Sequence, residues 1–187
     1  EAAVHPNFPP ADTVLIVELD GPAAEVRELF ATVEAICRRT GSTVVEIAQN
    51  DEQRMRIWRG RKAAFAAMGR VSPNYYVQDG VIPRTTLADV LRRIRHLELR
   101  SGLRIGNVFH AGDGNLHPLI CYVESIPGQA EQAEAVASEI LRYCIDAGGT
   151  LTGEHGVGVD KKASMPKMFG PNDLDAMQLV RCAFDPN

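Results

Sequence analysis

The stretch from Leu103 to Val123 constrains the fold of this chain more than any other. Leu103-Arg104-Ile105-Gly106-Asn107-Val108-Phe109 and Leu119-Ile120-Cys121-Tyr122-Val123 have strand composition, and Gly112-Asp113-Gly114-Asn115 between them is turn chemistry. A hairpin sets its two strands antiparallel. Two of the five histidines, His110 and His117, stand at the shoulders of that turn. A chain reversal there brings both imidazoles toward one point, where they can share a divalent ion. A plain surface turn flanked by two histidines is the competing reading, since metal-spaced histidines also arise by accident.

A second stretch shifts the balance. Gly148-Gly149-Thr150-Leu151-Thr152-Gly153-Glu154-His155-Gly156-Val157-Gly158 sets a carboxylate beside a third histidine, with glycines on both sides. Three histidines and an acid in two Gly-rich segments are hard to explain as turns alone. Two histidines and a carboxylate with open positions suit Zn²⁺, Mn²⁺ or Fe²⁺. A metallohydrolase could use such a set through metal-bound hydroxide, and a non-catalytic α+β binding domain is a further reading.

The segments His110-Ala111-Gly112-Asp113-Gly114-Asn115-Leu116-His117-Pro118 and Gly153-Glu154-His155-Gly156-Val157-Gly158 resemble the C-terminal (substrate or cap) domain of FAD-linked oxidases of the vanillyl-alcohol-oxidase superfamily. The likeness is greatest to the flavin subunit of glycolate oxidase and to D-lactate and D-2-hydroxyglutarate dehydrogenases. It extends from Val14-Leu15-Ile16-Val17-Glu18-Leu19-Asp20-Gly21 to Ala183-Phe184-Asp185-Pro186. The resemblance implies a flavin-dependent oxidation of a small 2-hydroxy acid to the 2-keto acid. It implies metal ligands His110, His117 and Glu154, a general base at His155, and substrate contacts from Arg61 and Asn115. Arg61 is chosen because a Trp in the family precedes the carboxylate-gripping Arg by three residues, as Trp58 does here; Arg59 is the rival. Arg suits that role because its planar fork meets a carboxylate bidentately. Asp113 is expected to orient the turn or a ligand histidine.

The resemblance further implies an upstream domain that binds FAD, and an iron–sulfur or second flavin subunit as electron acceptor. Neither that domain nor the family's usual tail after the final Asp-Pro is in the sequence, and the chain starts with Glu1 instead of Met. The expectation is one substrate domain over residues 1–187, a fragment inactive alone, with residues 1–12 (Pro6, Pro9, Pro10) as a connector.

Composition narrows the remaining classes. A net charge of −4 gives no support to a nucleic-acid partner, and no apolar run approaches the ~20 residues of a membrane span. Cys37, Cys121, Cys144 and Cys182 are widely spaced beside apolar runs, so reduced, buried thiols are expected. A cytoplasmic setting fits, and the resemblance adds an expected peripheral association with the inner membrane through partner subunits.

In chain order, Val14–Leu19 reads as a buried strand. Val26, Leu29, Phe30, Val33, Ile36 and Cys37 follow helical spacing, and Thr43–Ala48 reads as a returning strand. Asp51 is a candidate N-cap for an Arg-rich helix. Tyr75–Pro83 suits a strand. Leu87, Val90, Leu91, Ile94 and Leu97 mark one helix face, and Ala133, Val136, Ala137, Ile140, Leu141, Cys144 and Ile145 another. A last helix runs from near Pro171 through Asp185-Pro186-Asn187. His5 and His96 read as surface histidines. The pattern predicts an α+β fold, a ferredoxin-like antiparallel sheet with helices mainly on one face and the other face free for a ligand.

Overall fold

A computed structural model describes residues 4–185; Glu1 to Ala3 of the expected connector, and Pro186-Asn187 of the expected last helix, lie outside the described residues. The chain divides into two compact units, Glu1–Ala67 and Met68–Asn187.

In the first unit, α1 (Ala23–Arg39) follows Pro22, whose carbonyl accepts from the Val26 amide at 3.0 Å. Glu25 in its first turn and Arg38 and Arg39 in its last turn complement the helix dipole. The next helix, α2 (Asp51–Lys62), is capped by Asn50, whose side chain accepts from the Gln53 amide at 2.9 Å. Gln53 Oε1 accepts in return from the Gln49 amide at 2.7 Å. The expected cap, Asp51, is instead the first helical residue, because the carboxamide one position earlier reaches the orphan amide. A short α3 (Ala64–Met68) crosses the boundary between the units.

The expected strands Val14–Leu19 and Thr43–Ala48 are not strands among the described residues. None of their apolar side chains is buried, and Leu15 at 62% and Val44 at 54% are exposed. Both runs are tethered to α2 by ion pairs, Glu18 to Arg54 at 3.2 Å and Glu46 to Arg56. β-Branched composition reports fitness for a pleated, half-buried surface. A ladder also needs a partner edge.

The second unit contains β1 (Asn74–Val77), β2 (Gly80–Val81), α4 (Leu87–Ser101), β3 (Ile105–His110), β4 (Asn115–Tyr122), α5 (Gln129–Asp146), α6 (Met165–Met168) and α7 (Pro171–Phe184). All strand pairings are antiparallel, and β4 is central. β3 lies along one edge of β4, while β1 and β2 follow each other along the other. The single strand expected over Tyr75–Pro83 is thus broken at Gln78-Asp79, where the Gln78 amide alone keeps contact with β4, donating to Pro118 O at 3.0 Å. The α+β class with an antiparallel sheet stands as expected.

One core cluster gathers Val90, Ile94 and Leu97 from α4 with Ala133, Val136, Ala137, Ile140 and Cys144 from α5. These meet Ile105, Leu116 and Ile120 from the sheet, so both helices cover the same sheet face. Burying one aliphatic side chain of this kind contributes about 1.5–3 kcal/mol. The Cys prediction holds for Cys121 and Cys144, which are buried, whereas Cys37 is half-buried and Cys182 exposed. Cys182 sits on α7, which buries none of its residues, and there Met177, Leu179 and Val180 are exposed. No helix among the described residues is long and apolar enough to cross a membrane.

Candidate metal centre

Side chains alternate along a strand. With Leu116 in the core, Asn115 and His117 point to the opposite sheet face, and the register His110↔Asn115 places His110 there too. The turn between them is closed by the Gly114 amide donating to His110 O at 2.9 Å and by Asp113 Oδ1 accepting from the Asn115 amide at 3.0 Å. Gly114 has φ +82°, and a Cβ there would lie closer than 3.0 Å to the Ile82 carbonyl oxygen. Only glycine fits this turn.

The second motif arrives by a different route. After α5 the chain returns to the sheet through a mutual backbone pair, Val81 N to Thr150 O at 3.0 Å and Thr150 N to Val81 O at 2.9 Å. This sets residues 150–155 beside β2 and the end of β4. A Cβ at Gly153 would meet the Asn115 side chain at 2.8 Å, so glycine lets the segment pass this close to the carboxamide without displacing it. The backbone bend with positive φ falls at Gly156, φ +80°.

His110 Nε2, His117 Nε2 and Glu154 Oε1 converge, with one ligand atom from each residue lying within 4.8 Å of the others. Glu154 Oε1 is 3.1 Å from His117 Nε2 and 3.5 Å from His110 Nε2. Two ligands bonded at ~2.1 Å to one tetrahedral ion stand ~3.4 Å apart. The spacing and the N, N, O donor set therefore fit a divalent cation. His117 is 3% exposed, while His110 and Glu154 are about half exposed, so the cluster is rooted in the sheet and open on one side. The two imidazoles meet edge to face, centroids 5.6 Å apart.

His155 lies outside this triad. Its exposed ring stacks on His117 at 5.1 Å with planes 12° apart. Asn115 is buried and donates from Nδ2 to Glu154 Oε1 at 2.8 Å, while its Oδ1 is buried without a hydrogen-bond partner among the described residues. Arg61 and Arg59 lie near the C-terminal end of α2, in the first unit.

The sequence reading missed Asp79 and Lys161. Asp79 is fully buried, and its Oδ2 accepts from Thr152 Oγ1 at 2.7 Å, Gly153 N at 3.0 Å, Glu154 N at 3.1 Å and His155 N at 2.9 Å. Lys161 Nζ, also buried, donates to Asp79 O at 3.1 Å and approaches Oδ2 at 3.4 Å. Asp79 Oδ1 stands 3.9 Å from His117 Nδ1. Burial pushes the Asp79 carboxyl upward, but the His155 amide, the Thr152 hydroxyl and the Gly153 and Glu154 amides more than reverse this. They hold it well below the usual carboxylate range. The available signal was an ionisable residue inside a strand run flanked by apolar residues, Val77-Gln78-Asp79-Gly80-Val81. Asp79, His117 and His155 form a second convergent triad, yet Asp79 Oδ2 is already occupied by backbone and hydroxyl donors. The His110, His117 and Glu154 triad is the better cation site.

The model of the family described as "FAD linked oxidases, C-terminal domain" matches residues 3–187. Over its whole length the chain is 43% identical to the glycolate oxidase subunit GlcD of Escherichia coli K12, of which it spans 38%. It is 34% identical to the glycolate oxidase subunit GlcD of Bacillus subtilis, with 94% of the chain and 37% of that protein aligned. It is 32% identical to the mitochondrial D-lactate dehydrogenase [cytochrome] of Kluyveromyces lactis, with 86% of the chain and 28% of that protein aligned.

Proposed function

We propose, from the premise that this chain belongs to the family of FAD linked oxidases, C-terminal domain, that it is the substrate-side domain of a flavoenzyme oxidising a small 2-hydroxy acid of glycolate or D-lactate type to the 2-keto acid. The family favours oxidation over the hydrolytic and binding-only readings. The observation that supports a metal-assisted mechanism is the convergence of His110, His117 and Glu154 within 4.8 Å.

When bound, a Zn²⁺, Mn²⁺ or Fe²⁺ ion at these three residues supplies Lewis acidity toward the substrate hydroxyl, and FAD, held mainly by an upstream domain, supplies the hydride acceptor. The remaining work falls to side chains of this chain. His155 takes the hydroxyl proton at an imidazole nitrogen, its ring held by stacking on His117. The hydrogen on the adjacent carbon leaves with its electron pair, so one proton and one hydride depart and the carbonyl forms. Arg61 grips the substrate carboxylate and thereby aims that carbon. Asn115 fixes Glu154 through Nδ2, so its contribution to substrate binding runs through that carboxylate. An iron–sulfur or second flavin subunit would take the electrons onward, in a cytoplasmic assembly whose attachment to the inner membrane runs through such partners.

The test uses the whole FAD-loaded protein under anaerobic stopped flow. Glycolate or D-lactate should bleach the flavin, chelation should slow the bleaching, and added divalent metal should restore it. Unchanged bleaching in protein shown by elemental analysis to hold no metal would sink the metal-assisted mechanism. Absence of bleaching by any 2-hydroxy acid would sink the substrate class.

A further inference from the structure

We infer that Asp79 is a positioning residue that orders the Gly153–His155 segment and thereby sets where Glu154 and His155 stand. The inference rests on the function proposed above only for what those two side chains do. The ordering itself is a matter of hydrogen bonds.

Three successive backbone amides, Gly153, Glu154 and His155, together with the Thr152 hydroxyl, all donate to one carboxylate oxygen. Consecutive amides converging on an anion form a concave backbone site that a carboxylate fills well. Bonds to a charged acceptor are roughly twice as strong as neutral ones. The segment is otherwise a loop, tied to the sheet through the backbone pair at Val81 and Thr150. Asp79 is itself held firmly: it sits at the break between β1 and β2, and buried Lys161 balances its charge while binding its own carbonyl oxygen. The chain thus carries a rigid negative post at the edge of β4, onto which the Glu-His loop is wound.

The geometry also explains how two adjacent residues serve one centre from different directions. With the Glu154 and His155 amides both turned to Asp79, the Glu154 carboxylate meets His117 Nε2 at 3.1 Å while the His155 ring lies parallel to that of His117. The same Asp79 carboxylate stands 3.9 Å from His117 Nδ1, on the side of the ring away from Glu154. Partners on the far side of a ligand histidine, like those of a ligand carboxylate, typically change metal affinity 10–100-fold when lost.

The test is Asp79→Asn in the whole protein, which keeps the side-chain size but removes the negative charge, so the amides are left with a neutral carboxamide whose bonds are roughly half as strong. Two readouts are taken. In metal-free protein, hydrogen exchange at Gly153, Glu154 and His155 should rise at least about tenfold while β4 and α5 stay protected. In a Co²⁺ titration, affinity should fall about 10–100-fold and the cobalt absorption band should change shape at saturation. Ile94→Val, a core truncation in the same unit, should alter neither readout, which separates positioning from general loss of stability. Should Asp79→Asn fail to fold, Thr152→Val removes one donor only and should raise exchange at the same three amides by a smaller factor. Amides that remain as protected as in the wild type in whichever of the two variants folds would overturn the proposal. So would lost protection in a cobalt-binding protein whose cobalt affinity and spectrum do not change. A wild-type protein that binds no cobalt would sink the metal reading alone, because the exchange readout in metal-free protein still decides the role of Asp79.

Discussion

Gly112 and Gly114 stand two residues apart in one turn, and replacing each by alanine should give opposite results. At Gly114 the backbone has φ +82°, a conformation that costs an L residue about 1–2 kcal/mol. An added Cβ would lie closer than 3.0 Å to Ile82 O, so the local backbone must move. That movement endangers the bond from Ile82 N to Gly114 O, 3.0 Å long, worth a further ~1 kcal/mol net. Lower entropy of the unfolded chain returns about 0.4–1 kcal/mol. Gly114→Ala should therefore destabilise by about 2 kcal/mol before the clash is counted, and it should weaken metal binding because His110 is the residue from which this turn springs. At Gly112 an added Cβ meets nothing within 4 Å and the backbone is not in the positive-φ region, so Gly112→Ala should be neutral within about 0.5 kcal/mol. Urea unfolding followed by circular dichroism measures both, with a Co²⁺ titration alongside. Equal effects of the two substitutions, or an unchanged unfolding midpoint for Gly114→Ala, would refute the reasoning from the turn.

The other predictions concern the site and the core. Glu154→Gln should lose metal and flavin reduction together, with activity partly restored by excess metal. His155→Ala should keep its metal, by elemental analysis, and lose turnover by about 10²–10⁴. Arg61→Lys should raise KM for a 2-hydroxy acid far more than Arg59→Lys, because an ammonium lacks the bidentate fork; the reverse ranking in steady-state kinetics would move the clamp to Arg59. Burial pushes the Cys144 thiol up to about 12, Lys161 pulling it down and Asp79 pushing it further up. Native protein at pH 9 should therefore leave Cys144 unmodified by iodoacetamide while exposed Cys182 reacts, as peptide mass spectrometry will show. Because the folded pKa lies above the ordinary 9.0, this thiol's contribution to stability is full below pH 9 and is lost as pH rises toward about 12.

Much of the site was legible because its signals are local. His110 and His117 bracket a turn whose residues dictate a reversal, and the hairpin register then puts both on the face away from Leu116. The helical faces of α4 and α5 could be read from spacing alone, since a 3.6-residue period says which residues share a side. Asp79 was not legible. Its partners Thr152 to His155 and Lys161 lie 73 to 82 residues further along the chain, and no local pattern tells whether a carboxylate in a strand run will break the strand or find donors. Val14–Leu19 and Thr43–Ala48 failed for the related reason that β-branched residues fit a sheet only where a neighbouring edge offers free amides and carbonyls. Composition and spacing determined which segments turn, which coil into helices and which side chains can ligate an ion. Tertiary structure alone decided which strands join that hairpin and which buried charge is satisfied, because ladders between distant segments and buried ion pairs depend on groups that only folding brings together.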